Sequence, residues 1–362
     1  MNERAAEIER RKSEHLSIAS GEGVETRVSA GWDDVHLAHD ALPRVDADEV
    51  DLGVDLLGRR LRLPLVITGM TGGHQAAHDV NRVLAGAAER HGLAFGVGSQ
   101  RAALRDAGLV PTYSVAREAA PTAFVIGNIG ISQLLDQPGE AKLSAAEVRR
   151  VVEMIRADAL AVHLNYLEEM VQPEGQTRAR GAADALASIV RACGVPVIAK
   201  ETGAGIGRAT ARRLAECGVR AIDVGGVGGT SFAAIEAHRA RDRGDERRAL
   251  LGERFVDWGL PTAVAVVGAR AVGLPVVATG GVRSGHDAAK ALALGATAVG
   301  VGRPLLQAAL RGDESVDEWI AQFELELRTA IFLSGAASAS DLCSVPRVIV
   351  GDTKEWISQL GY

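Results

Sequence analysis

The chain has little cysteine. Its three residues, Cys193, Cys217 and Cys343 in 362, share neither CxxC spacing nor an even count. That argues against a disulfide framework and reads as reduced, mostly buried thiols of a cytoplasmic protein, with no thiol singled out for catalysis. Long apolar runs are also missing. None approaches the roughly twenty residues of a membrane span, and the first residues, Asn2, Glu3 and Arg4, open a charged stretch with no signal-peptide core. Excess positive charge is absent too: a net charge of -6 gives no reason to expect a nucleic-acid partner. The histidines show no transition-metal pattern. His74 and His78 have i, i+4 spacing but no accompanying glutamate or third ligand.

What is present is the material of a large core, with 47% hydrophobic and 24% charged residues, ordinary for a globular protein. From about residue 60, apolar runs alternate with Ala-rich segments of helical period. Eight strands are predicted at 63–69, 93–98, 123–128, 159–165, 196–201, 221–225, 275–280 and 297–302. Helices are predicted at 81–91, 145–156, 181–192, 208–216, 261–271 and 287–293. Near-continuous apolar strands imply burial on both faces, as in a parallel sheet. Eight β/α repeats imply an α/β protein built as a (β/α)8 TIM barrel rather than an open doubly wound sheet. The whole chain then reads as one domain. Residues 1–60 form an N-terminal extension, 61–312 the barrel and 313–362 a helical C-terminal appendage, with 226–260 a long connection rich in Arg and Asp.

Barrel active sites use the C-terminal ends of the strands. Here those ends carry Met70 to Gly73, Ser99 to Arg101, Asn128, His163 with Asn165, Lys200 to Gly203, Gly225 to Thr230, Gly280 to Arg283 and Gly302 to Pro304. The densest cluster follows the fourth strand: His163, Asn165, Glu168, Glu169, Gln172 and Glu174 within a dozen residues, a set suited to metal binding and proton transfer. Gly280, Gly281, Gly300 and Gly302 lie in the last two loops, where barrels commonly bind phosphate; Arg283 and Arg303 follow them. Gly225 to Thr230 has neither the spacing nor the position of a dinucleotide fingerprint. Lys200 admits three readings: a Schiff-base nucleophile, a plain ion pair, or a fixed cation facing an anionic cofactor ring. With phosphate loops nearby, flavin mononucleotide (FMN) across the barrel top fits Lys200 best. The basic run Arg10, Arg11, Lys12 is a solvated helix face unless the extension folds over the mouth. Arg101 would be a second cationic contact. Trp258 has two open placements, over the flavin or in the core.

Arg11, Lys12 and His15, Met70 to Gly73, Gly98 to Arg101, Asn128, His163 and Asn165, Gln172 to Gly175, Lys200 and Glu201, Gly228 to Thr230, Asp257 to Gly259 and Gly280 to Arg283 together make the chain resemble the type 2 isopentenyl-diphosphate isomerases, most of all archaeal ones. The resemblance spans nearly the whole chain. It implies a (β/α)8 barrel holding FMN reduced by NADPH, Mg²⁺ on the substrate diphosphate, and interconversion of isopentenyl and dimethylallyl diphosphate. It also implies a homo-oligomer, a tetramer or octamer. By resemblance, Thr71, Gly72, Gly73, Ser99, Asn128, Lys200, Thr230, Gly281, Val282, Arg283, Gly302 and Arg303 hold FMN. Arg11, Lys12, His15, Arg101, His163 and Asn165 surround the diphosphate. Glu169 ligates Mg²⁺, and His163, Asn165 and Glu168 take part in catalysis.

One departure matters. Where the family places Gln before the metal-binding Glu, this chain has Glu168, a titratable acid in place of an amide. Ala204, Gly225 and Gln176 are smaller departures. Glu168 as a direct proton donor is one consequence. A paralogue acting on another prenyl diphosphate, by cyclisation or double-bond shift, is the alternative. An FMN-dependent 2-hydroxy-acid oxidoreductase shares the barrel and the lysine but needs a histidine base late in the barrel, and the sequence around His286 does not supply that arrangement.

Overall fold

The computed structural model describes residues 14, 17–19, 21 and 23–362. All eight predicted strands form, each slightly shorter than its apolar run except the third: β1 (Leu65–Ile67), β2 (Ala94–Gly96), β3 (Phe124–Gly130), β4 (Ala159–Leu164), β5 (Val197–Glu201), β6 (Ala221–Asp223), β7 (Val276–Thr279) and β8 (Ala298–Val301). They close into one barrel with every pair parallel. Buried on both faces, strands such as Leu65–Ile67 and Ala298–Val301 keep no polar position, which is why their sequences run apolar without alternation. Each fully buried Leu, Ile or Phe contributes about 2 kcal/mol.

The register does most to place the chemistry. At the C-terminal ends of four successive strands, Gly130 pairs with His163, His163 with Lys200, and Lys200 with Asp223. Register partners in a parallel sheet project to the same face. Imidazole, ammonium and carboxylate therefore form one row around the barrel.

The surrounding elements depart from expectation in three places. The helix predicted at 81–91 begins earlier, at Gln75–His91. The connection at 226–260 contains two helices, Phe232–Asp242 and Glu246–Arg254. The C-terminal segment is not wholly helical. Its strand Arg347–Ile349 pairs antiparallel with Val35–Leu37 of the extension, binding the two ends of the chain together. A hairpin, Val54–Leu56 with Arg59–Leu61, precedes β1, and its Leu56 is fully buried in the lining of the barrel interior.

Candidate active site

The strand ends converge on one cavity of about 1410 Å³, open mouth included. That is room for a flavin mononucleotide and a small diphosphate together. Of the cofactor residues expected from sequence, all line it except Gly73. Gly73 instead donates its N–H to Thr112 Oγ1 at 2.9 Å, holding the β1 loop to the neighbouring helix and turning away from the cavity. Arg101, His163, Asn165, Glu168 and Glu169 line the same cavity. Arg11, Lys12 and His15 lie outside the described residues.

At one end stand the last two loops. Gly281 has φ +68°, and a Cβ there would lie 2.4 Å from the Gly228 carbonyl oxygen, so only glycine fits the approach. Arg283 and Arg303 both reach one oxygen of Glu25, each at 3.0 Å. Arg303 also donates to the Ala19 carbonyl at 3.0 Å. Residues 24–26 are stitched to the β6 loop, Thr26 N–H to Gly229 O at 2.9 Å and Ser231 N–H to Val24 O at 2.8 Å. The extension therefore does fold over the mouth, and a carboxylate already sits between the two arginines.

At the other end, the short helix Tyr166–Val171 carries Glu168 and Glu169 in its first turn, starting from Asn165. The Asn165 amide donates to Glu168 Oε2 at 3.0 Å and to Glu169 Oε1 at 3.2 Å. Gln172 donates to Glu168 Oε1 at 2.9 Å. Glu169, buried, also accepts the Gln176 N–H at 2.6 Å. The chain turns sharply to deliver that N–H: a Cβ at Gly175 would lie 1.7 Å from the Glu169 carbonyl oxygen. His163 Nδ1 is 2.7 Å from Asn128 Oδ1, and Asn128's amide nitrogen donates to Val97 O. Oδ1 is thus the acceptor, and His163 carries its proton on Nδ1.

Lys200 forms the ion pair left open by its sequence, with Asp223 Oδ2 at 2.9 Å, while still lining the cavity. Arg101 and Arg105 both pair with Glu140. Glu201 is buried, and its Oε2 accepts N–H bonds from Gly203, Ala204 and Gly205. Burial outweighs those bonds and the nearby Lys200 and pushes its carboxyl up to about 7. Arg239, one of the largest fully buried side chains, bonds Glu14, Glu174 and Glu236. Burial opposes its charge, but these carboxylates prevail and raise its pKa. It thereby ties the extension to the loop following Glu169.

Sequence reasoning missed Glu25, Gln133, Phe232 and Thr279 in the cavity lining, and Asp223 behind Lys200. It also allowed Trp258 over the flavin or in the core. Trp258 is 64% exposed, its ring 5.4 Å from Phe255, and it does not line the cavity.

The residues present suit both groups the resemblance implies. The glycine cradle, two arginines and Lys200 match a phosphorylated, anion-forming ring. For a hard metal, Glu169 is joined by two buried amide oxygens in the cavity lining, Asn165 Oδ1 and Gln133 Oε1, with no hydrogen-bond partner. No cluster of three His, Cys, Asp or Glu suited to a metal occurs among the described residues. A single carboxylate completed by phosphate and water oxygens is the usual arrangement for Mg²⁺.

Such a barrel, with glycine-rich last two loops and a lysine at the fifth strand, fits a flavin-dependent class of enzyme. The profile of the FMN-dependent dehydrogenase family matches residues 130–347. Solved structures share the fold. A mandelate oxidase with 3,3-difluoro-2-hydroxy-3-phenylpropionic acid aligns at TM-score 0.59 and 19% identity, over 96% of this chain and 99% of that one. A Pediococcus acidilactici (putative) lactate oxidase aligns at TM-score 0.65 and 16% identity, over 96% and 94%. Curated relatives lie much nearer in sequence. The isopentenyl-diphosphate delta-isomerase of Methanothermobacter thermautotrophicus is 47% identical over 356 residues, 98% of this chain and 97% of that one. That of Halobacterium salinarum is 45% identical over 357 residues, again 98% and 97%. The chain belongs to the isopentenyl-diphosphate delta-isomerase family and is an isomerase.

Proposed function

We propose that the protein interconverts isopentenyl and dimethylallyl diphosphate by a 1,3-proton shift, with reduced FMN and Mg²⁺ bound and NADPH as reductant. The observation that carries this reading is a single cavity lined both by the glycines and arginines of the last two loops and by the adjacent His163 and Lys200 with Asn165, Glu168 and Glu169 beyond them.

Arg101, His163 and the extension's Arg11, Lys12 and His15 hold the diphosphate in this scheme, and Glu169 with the Asn165 and Gln133 amide oxygens receives the metal. Bound reduced flavin would supply an electron-rich face that stabilises positive charge developing on the substrate. Glu168, its two oxygens fixed by the Asn165 and Gln172 amides, is oriented to exchange a proton with the alkene. Thr71, Ser99, Asn128 and Thr230 orient the cofactor. The protein acts in the cytoplasm as a tetramer or octamer.

Two other readings fare less well. A 2-hydroxy-acid oxidoreductase needs a late histidine base, but His286 lines an outer groove with His39 and residues of Asp313–Leu333, and does not line the cavity. Action on another prenyl diphosphate is favoured by one observation, the acid at Glu168 where the family has an amide.

The test is anaerobic incubation of the protein with FMN, NADPH and Mg²⁺, assaying both five-carbon isomers. Interconversion well above the flavin-free control is expected, together with loss of at least about 100-fold (roughly 2.7 kcal/mol) in E169Q. Tight binding of reduced FMN without interconversion would overturn the isomerase reading in favour of longer prenyl diphosphates.

A further inference from the structure

Asp223 is a buried carboxylate with a single partner among the described residues. Its side chain is 7% exposed. Oδ2 lies 2.9 Å from Lys200 Nζ, and Oδ1, fully buried, makes no hydrogen bond. A carboxylate oxygen left bare in the interior is costly, so the position serves something other than packing. Its location suggests what. Asp223 is the register partner of Lys200 on the adjacent strand, but the two side chains border different spaces. Lys200 lines both the active-site cavity and a smaller cavity inside the barrel; Asp223 lines only the inner one, with Asn128, Thr68 and Ile198. The ammonium thus stands between the cofactor space and a buried negative charge behind it. The other acid beside Lys200, Glu201, is engaged with three backbone N–H groups.

We propose that Asp223 is a positioning residue that sets the electron-donating strength of the flavin. It fixes the Lys200 ammonium at the cavity and cancels much of its field there. A bare cation would stabilise the anionic, reduced form of the ring more strongly than the oxidised form and make it a weaker electron donor. The Lys200–Asp223 pair supplies orientation with little net charge, so the reduced cofactor stays electron-rich, as an enzyme that stabilises positive charge on its substrate requires. The inference rests on the FMN reading of the site and names how that site is tuned.

The test is the binding of oxidised and reduced FMN, with the midpoint potential of the bound flavin, in the wild type, D223N, D223E, K200M and the K200M/D223N double variant. D223N adds one net positive charge beside the ring. It should tighten reduced relative to oxidised FMN at least about tenfold, a positive shift of about 30 mV for a two-electron couple. D223E should return toward the wild type. K200M, which leaves the carboxylate alone, should shift the potential the other way, and the double variant should lie between the two single ones. Should D223N not fold, that order is read from D223E, K200M and the double variant. A merely structural Asp223 would weaken both redox forms equally, and an unchanged ratio in D223N, or a double variant equal to K200M, would overturn the proposal while leaving FMN binding intact. A wild type that binds no FMN would overturn the cofactor reading and this one with it.

Discussion

Glu168 and Glu169 are adjacent in sequence and share the Asn165 amide as donor, yet they differ in setting. Glu169 is buried and accepts a backbone N–H from the sharp turn at Gly175. Glu168 accepts from the side-chain amides of Asn165 and Gln172, and replacing it with Gln would set one amide N–H₂ against another at Asn165 or Gln172. The cost in stability should be about 1 kcal/mol. If Glu168 transfers the proton, E168Q should lower the isomerisation rate about 100-fold or more, read as kcat under anaerobic conditions. A rate that rises instead points to a different native reaction. Glu201 gives a pH prediction. Its folded-state pKa of about 7 lies above the ordinary carboxylate value of 4.5, so between these the folded protein holds a proton that the unfolded chain has lost. From this group, stability is greatest below about 4.5, falls by about 3 kcal/mol as pH rises to about 7, and is flat above. E201Q should remove that slope without lowering Tm at pH 8; an unchanged slope in chemical denaturation between pH 5 and 7 would locate the proton elsewhere.

At the level of elements, the barrel was legible because parallel strands buried on both faces leave near-continuous apolar runs, and Lys200, His163 and Glu169 were legible because they sit at or just beyond the ends of those runs. Asp223 was hidden by its position. It ends β6 two residues before Gly225, inside the stretch that reads as strand, and its role appears only once the register sets it beside Lys200. Glu25 was hidden for another reason: nothing local shows where an extension without long apolar runs will cross the mouth. It now predicts a coupling. A phosphate would compete with Glu25 for Arg283 and Arg303, so E25Q should tighten FMN severalfold and speed proteolysis within the first thirty residues. Unchanged affinity and cleavage would mean that the contact neither competes nor pins. The cradle itself is tested by G281A. Positive φ and a Cβ 2.4 Å from the Gly228 carbonyl oxygen should cost about 1–3 kcal/mol and weaken FMN binding about tenfold or more, measured by fluorescence titration.

Across the whole molecule, the N-terminal extension links the C-terminal strand to the site. The extension pairs with the C-terminal strand through Val35–Leu37, meets Arg283 and Arg303 at Glu25, and is held at Glu14 by Arg239, which also grips Glu174 beyond Glu169. One cavity therefore joins cofactor cradle, acid pair and extension, an arrangement suited to a flavin that is held reduced and not consumed. The most direct test is a count of product against reductant. Under anaerobic conditions in D₂O, with FMN, Mg²⁺ and limiting NADPH, each flavin reduced once should support many turnovers of isopentenyl diphosphate, and the dimethylallyl diphosphate formed should carry deuterium. Product formed in step with NADPH oxidised, or product free of deuterium from solvent, would contradict a proton shift without net redox change.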